Sequence, residues 1–258
     1  MPTGPGGEGL VVLVPTYNEA PNVDPLLDAL VAAVPRAHVL VVDDASPDGT
    51  AARVRARAAR DPRVHLLVRA GPRGLGLAYL DAFRWALARG YPVIGQMDAD
   101  LSHDPADWPR LLGALAGGAD LALGTRYMPG GGVEGWARRR QALSRAGNAY
   151  ARGVLGLPWR DLTGGFKAFR AEVLRAVPLG AVRARGYAFQ VELTWRAAAA
   201  GARVVEVPIV FRERREGQSK LSGAIVGDAV VGLWALRWAG AAGGKGALRG
   251  KPSVSPAP

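Results

Sequence analysis

Short apolar runs alternate with segments whose apolar positions recur every three or four residues through the first half of the chain. Leu10–Val14, Val39–Asp43, Val64–Val68, Val93–Met97 and Leu121–Gly124 have strand length and are almost continuously apolar, as strands covered on both faces are. Helix-period stretches lie between them, near Val23–Val34, Thr50–Ala59, Gly76–Ala88 and Ala106–Leu115. Pro15, Pro47, Pro62, Pro92 and Pro105 fall at the ends of these elements, where a missing N–H does least harm. The pattern predicts an α/β fold with a mostly parallel central sheet flanked by helices. In such a fold the loops after strand C-termini carry the chemistry.

Beyond Arg126 the alternation breaks. A Gly-rich loop, PGGGVEG, leads into the basic run Arg138, Arg139, Arg140 and a helix to about Leu155. A strand around Gly165–Phe169, a helix near Ala188–Ala200, a strand Val204–Phe211 and a polar turn, RERREGQSK, follow. The apolar stretch Ala224–Ala242 has about the length needed to cross a bilayer at ~1.5 Å per residue. Asp228 and Arg237 interrupt it, and an ionised Asp inside a span costs roughly 2.5–3.5 kcal/mol. It therefore reads as a helix lying on a membrane or on the domain. The expected organisation is a flexible lead-in over 1–9, one domain over 10–222, the apolar helix over 223–242 and a disordered basic tail over 243–258. The opening MPTGPGGEG has neither the basic nor the apolar region of a secretory signal.

Composition narrows the chemistry. There is no Cys among the 258 residues, which removes disulfides, thiolate metal sites and a thiol nucleophile together. Residues 1–125 carry a net charge of −3 and residues 126–258 one of +14. An Arg-rich genome bias accounts for Arg over Lys but not for that asymmetry. A basic half attracts phosphorylated substrates or anionic membranes. Nucleic acid is disfavoured as a partner, since no aromatic platform or recognition motif is present and the acidic half repels a polyanion.

Two acidic clusters stand at strand ends. In QMDADLSHDP, Asp98 and Asp100 are two residues apart and project to one side of an extended backbone. Such a pair suits Mg²⁺ or Mn²⁺ held by carboxylates together with substrate phosphates. In LVVDDASPDGT, Asp43 and Asp44 can accept hydrogen bonds from a base N–H or a ribose hydroxyl, while Asp48 or Thr50 serves as a helix N-cap. The first strand runs into PTYNEAPN rather than G-x-G-x-x-G, which disfavours a dinucleotide oxidoreductase.

The blocks VPTYNEAPN, VVDDASPDGT, GLGLAY, MDADLSHDP, GTRYMPGG, DLTGGFKAFR, GYAFQVELTWR and EVPIVFRERREGQSKLSG occur in the order and spacing of inverting family 2 glycosyltransferases with the GT-A fold. Over about residues 10–222 the chain most resembles polyprenol (dolichyl) phosphate mannose synthases of the short form without transmembrane domains. PTYNE and D-A-D are shared widely among family 2 enzymes; SPDGT, GTRY, TGGF and EGQSKLSG together point to the polyprenyl-phosphate subgroup.

The resemblance implies transfer of mannose from GDP-mannose to a polyprenyl monophosphate with inversion, assisted by Mg²⁺ or Mn²⁺. It matches Pro15, Tyr17, Glu19, Val42 and Asp44 to donor contacts. Asp98, Ala99 and Asp100 match the D-x-D motif, and Ser102 stands at a third position that some relatives fill with Gln. Arg126, Arg214 and Lys220 match cations around the phosphates. Arg138, Arg139, Arg140, Arg215 and Ser219 are candidates for the acceptor's phosphate. A polyprenyl phosphate is already anionic, so no strong general base is required, and catalysis rests on positioning and charge neutralisation. Apolar Ile225, Val226, Val230, Leu233, Trp234 and Trp238 and the cationic tail suit peripheral attachment to an anionic membrane on its cytoplasmic face, with a membrane-anchoring partner protein allowed. Two other readings are polyprenyl-phosphate glucosyl transfer from UDP-glucose and a non-catalytic nucleotide-sugar-binding module.

Overall fold

The computed structural model describes residues 4, 6–184, 186–213 and 232–238. Seven strands form the main sheet, in the order β3-β2-β1-β4-β7-β5-β8. They are β1 (Leu10–Thr16), β2 (His38–Asp43), β3 (Val64–Val68), β4 (Val93–Gln96), β5 (Leu121–Thr125), β7 (Lys167–Arg170) and β8 (Val204–Pro208). A small second sheet pairs β6 (Gly132–Glu134) with β9 (Val210–Arg212). The helices are α1 (Ala20–Ala33), α2 (Thr50–Ala58), α3 (Leu75–Ala88), α4 (Trp108–Ala116), α5 (Arg138–Leu155), α6 (Ala171–Ala176) and α7 (Tyr187–Ala199).

Strand alternation divides the interior into two layers. Leu10, Val12, Val14, Val39 and Val41 face α1, α2 and α4. Val11, Leu13, Leu40 and Val42 face α3, α6 and α7. The two-faced burial accounts for the continuous apolar runs in β1 and β2. Close approach of α4 depends on Gly95 in β4, since a Cβ there would lie 2.2 Å from the Trp108 ring. A third apolar cluster joins Ala151, Val154 and Leu155 of α5 to Val191 and Ala198 of α7 and to Leu233 and Leu236. The last two lie in residues 232–238, which are helical.

The expected mostly parallel sheet is present with one reversal. Strand β7 runs antiparallel to both β4 and β5, so the sheet is mixed at its centre. Val204–Phe211, read as one strand, is two. Pro208 ends β8, the Ile209 N–H donates to Thr125 O, and the chain leaves the main sheet to pair with β6. That partner, β6, lies inside the stretch read as a Gly-rich loop. Residues 6–9, expected to be flexible, are tied down: Arg36 N–H donates to Gly6 O at 2.9 Å and the Arg36 side chain pairs with Glu8. Within the apolar stretch 223–242 the described residues cover 232–238 alone, and the tail 243–258 lies outside them.

Candidate active site

The C-terminal ends of β1, β2 and β4 face one side of the sheet, and the loops leaving them are tied together. Thr16 Oγ1–H donates to Asp43 Oδ1 at 2.9 Å, and Ser46 donates to both Asp43 oxygens. Asp48 accepts the Ala20 N–H at the start of α1 and the Thr50 N–H at the start of α2. Thr50 Oγ1 in turn accepts the Glu19 N–H. Asp43 and Asp48 thus build the cradle, and Asp44 faces a different set of partners. One of its oxygens pairs with Arg69 and the other accepts the Gly74 N–H at 2.9 Å, while Arg69 also reaches Asp81. Arg73 lies over the Tyr17 ring, 4.3 Å from its centroid, and donates to the Tyr17 hydroxyl.

After β4, Met97 leads into Asp98, Ala99 and Asp100. Ala99 is buried in the apolar core, so the two acids flank a residue that anchors the turn. Asp100 is buried and accepts the Ser102 N–H at 3.1 Å and the Ser102 hydroxyl at 2.6 Å on the same oxygen. Asp98 has a side chain 35% exposed and lies against Gly165, where a Cβ would stand 2.9 Å from its carboxylate. His103 is stacked on Phe166 and fully buried, and burial lowers its pKa to about 4 against the opposing pull of Asp100. Its 3.9 Å approach to Asp98 is therefore not an ion pair near neutral pH. Tyr79 lies beneath, where burial and then the charges of Asp98 and Asp100 push its hydroxyl pKa well up.

Arg126, just past β5, is gripped by Asp161. Its Nε and Nη2 donate to the two carboxylate oxygens at 2.6 and 2.7 Å, its backbone N–H donates at 3.1 Å, and Nη2 also reaches Thr163. Burial alone would raise the Asp161 pKa, but the Arg126 charge and hydrogen bonds outweigh it and hold it below the ordinary carboxylate range. Asn148 of α5 fastens the same loop, accepting the Leu162 N–H and donating to Thr163. The Arg126 guanidinium faces the rings of Tyr127, Trp136 and Phe211. Lys167, the first residue of β7, is fully buried and donates to Gln190 O, Gln190 Oε1 and Thr194 Oγ1 at 2.8–3.0 Å. Burial lowers its pKa to about 7, opposed by the charges of Asp161 and Asp98.

Two carboxylates at a strand end, backed by an ordered Arg and hydrogen-bonded loops, could hold a divalent cation together with a phosphorylated ligand. Residues 11–177 match the family model described as glycosyl transferase family 2. The chain belongs to glycosyl transferase family 2. This family 2 enzyme is 51% identical over 235 residues to an undecaprenyl-phosphate mannosyltransferase of Micrococcus luteus, covering 90% of this chain and 96% of that one. It is 49% identical over 230 residues to a polyprenol monophosphomannose synthase of Mycolicibacterium smegmatis, covering 88% and 87% of the two chains. Among solved structures, glucosyl-3-phosphoglycerate synthase from Mycobacterium tuberculosis superposes with a TM-score of 0.66 at 20% identity, over 90% of this chain and 81% of that one. That likeness establishes the GT-A-type fold, and the sequence matches bear out the resemblance to the polyprenyl-phosphate mannose synthases.

In this family 2 enzyme the residues singled out from sequence are not all brought together. Tyr17, Glu19, Asp44, Asp98 and Asp100 lie on the loops at one end of the sheet, together with Pro15 near the end of β1 and Arg126 just past β5. The Val42 side chain is fully buried against α3, which confines any ligand contact there to its backbone. Ser102 is buried with its hydroxyl directed to Asp100, so it supports that carboxylate from behind. Arg138 and Arg139 are exposed on the first turn of α5, whereas Arg140 pairs with Glu213 at 2.9 Å and lies 4.0 Å from the Trp136 ring centroid. Arg214, Arg215, Ser219 and Lys220 lie outside the described residues. Arg69, Arg73, Asp161, Asn148 and Lys167 went unassigned in the sequence. Asp161 and Lys167 flank the TGGF run, and a charged residue on either side of a buried Gly-Gly turn was the available signal.

Proposed function

We propose that the chain transfers mannose from GDP-mannose to a polyprenyl monophosphate, inverting the anomeric centre to give a β-mannosyl phosphate lipid and GDP. The observation that carries this reading is the identity of about half to two relatives named for polyprenyl-phosphate mannose transfer, each covered over nearly its full length. The loops supply what the reaction needs. Tyr17, Glu19 and Asp44, with Pro15 and the Val42 backbone, receive the nucleoside, and Arg69 and Gly74 hold Asp44 in place for it.

Asp98 and Asp100 fit a divalent cation. A pair of carboxylates with one oxygen of Asp100 already engaged by Ser102 suits Mg²⁺ or Mn²⁺ completed by substrate phosphates, and among the described residues no larger acidic or His cluster competes. When bound, the ion supplies charge neutralisation to the departing diphosphate. Arg126, oriented by Asp161, adds a planar cation from the β5 side, with Arg214 and Lys220 as further phosphate partners. Arg138, Arg139, Arg140, Arg215 and Ser219 are assigned to the acceptor's phosphate, whose own anionic oxygen attacks in line. Because that oxygen needs no deprotonation, the neutral buried His103 has no role as a base.

No helix among the described residues is long and apolar enough to cross a membrane. Trp234 and Trp238 are 45% and 71% exposed, and Trp234 Nε1–H donates to the hydroxyl of Tyr150 on α5 at 2.9 Å. This surface, with the cationic tail, supports peripheral attachment to an anionic bilayer on its cytoplasmic face, alone or beside a membrane-anchoring protein. The test is label transfer into organic solvent from a panel of GDP- and UDP-sugars, with Mg²⁺, a polyprenyl phosphate and Asp100→Ala alongside. Transfer from GDP-mannose that falls at least a hundredfold in the variant is expected. Transfer from UDP-glucose instead would overturn the donor, and nucleotide binding without transfer from any donor would overturn the reaction.

A further inference from the structure

A pocket of about 500 Å³ opens between α5 and the segment from Arg126 to Val133, and four arginines line it: Arg126, Arg145, Arg152 and Arg160. No Asp or Glu is among its lining residues. Asp161 balances Arg126, but the side chains of Arg145, Arg152 and Arg160 have no hydrogen-bond or ion-pair partner among the described residues. The Arg145 guanidinium carbon lies 5.3 Å from the centroid of the Tyr127 ring. The Arg152 Nε is buried and without an acceptor. Glu206, close by, is already engaged by the Thr125 hydroxyl and the Arg160 backbone N–H. Three guanidinium groups facing one cavity repel one another, and the buried Arg152 Nε lacks an acceptor; a bound anion removes both costs.

The sequence of α5 is consistent with this: it carries five Arg and no acidic residue in 18 positions. At about 3.6 residues per turn, Gln141, Arg145, Ala149 and Arg152 share one flank of the helix. Exposed Leu143 and Tyr150 share the opposite flank, with the buried stripe of Asn148, Ala151 and Leu155 turned inward between them. Laying the outward face of α5 on a bilayer sets the apolar flank and the mouth of the pocket at the same depth, that of the headgroups. Arg138, Arg139 and Arg140, assigned above to the acceptor's phosphate, do not line this cavity.

We infer that the Arg145–Arg152–Arg160 pocket is a binding site for a phosphate group, supplied by the headgroup of an anionic glycerophospholipid. The lipid source rests on the peripheral attachment proposed above; the phosphate chemistry does not. The site would fasten α5 to one lipid molecule, beyond the diffuse attraction of a basic surface for an acidic bilayer.

The full chain is tested with Arg152→Gln/Arg160→Gln and with the charge-preserving Arg152→Lys/Arg160→Lys. Binding is measured to phosphatidylcholine vesicles with and without phosphatidylglycerol, and thermal stabilisation is followed as inorganic phosphate is added. Transfer to a short, water-soluble polyprenyl phosphate is measured in parallel. Expected are a drop of at least tenfold in affinity for phosphatidylglycerol vesicles for the Gln pair and of several-fold for the Lys pair, with transfer to the soluble acceptor within twofold of the parent. A purely diffuse field predicts no loss for the Lys pair, and that outcome overturns the site. A parallel loss of transfer overturns it too, since the pocket would then serve the acceptor. Phosphate stabilisation lost in both variants, without vesicle binding by any form, keeps the site for free phosphate and refutes the membrane reading.

Discussion

At the scale of single residues, the candidate site is held by buried ion pairs and hydrogen bonds. Asp161 is the clearest: it is completely buried and its carboxylate spans the Arg126 side chain and backbone. Asp161→Asn leaves Arg126 buried without its counter-charge, and a loss of about 3 kcal/mol is expected, read by chemical denaturation. The sign with pH follows from its lowered pKa. Its contribution is fully present above the unfolded value of 3.8 and fades as pH falls through the lower folded value, so the deficit of the variant shrinks in acid. Lys167 behaves in the opposite direction. Its folded pKa of about 7 lies below the unfolded 10.5, so between these values the unfolded chain binds more protons and stability rises with pH. Lys167→Met should remove a slope of up to about 1.4 kcal/mol per pH unit in that window, measured as the difference from the parent protein. Beyond their place beside the TGGF run, neither role was legible in the sequence: a Lys in KAFR and an Asp in RDLT look like surface charges until the fold buries them.

At the scale of elements, backbone strain gathers where the ligand loops begin. The non-Gly residues with left-handed φ among those described are Asn18, Ala45 and Leu101, and each lies in a loop that directly follows a strand end at the site. A positive φ costs such residues on the order of 1 kcal/mol, offset by the hydrogen bonds of Asp43, Asp48 and Thr50 around Asn18 and Ala45 and by those between Asp100 and Ser102 around Leu101. The TGGF turn shows the same logic in a different form. Gly165→Ala would push a Cβ to within 2.9 Å of the Asp98 carboxylate, a flexible end that can move aside. Melting temperature should therefore change by only a few degrees while transfer falls at least tenfold, and equal losses of both would show that the glycine serves the fold rather than Asp98. The strands β1 to β5 and helices α1 to α4 were readable because both-face burial and helical periodicity leave strong marks. Strand β6 was not, because a Gly-rich segment becomes a strand here only through its pairing with β9.

At the scale of the whole molecule, basic charge and exposed apolar side chains adjoin one another. The basic half of the chain supplies α5 and its pocket, and the exposed Trp234 and Trp238 stand on the adjoining helical segment. Trp234→Ser/Trp238→Ser should weaken binding to anionic vesicles at least fivefold with the melting temperature lowered by only a few degrees, because Trp238 is largely solvent-facing and Trp234 about half so. Vesicle cosedimentation at low salt checks this. The sequence by itself determined the α/β class, the alternation of elements up to β5, the two acidic strand ends and the family, since these depend on local periodicity and on residue order. Only the tertiary structure decided that β7 runs antiparallel at the centre of the sheet, that Val204–Phe211 divides between two sheets, and that Asp161 holds Arg126. It also decided that three arginines, spaced over 16 residues, share one cavity. Those outcomes depend on which distant segments meet, and the pairing of buried charges and strand edges is settled by long-range contacts that no local pattern records.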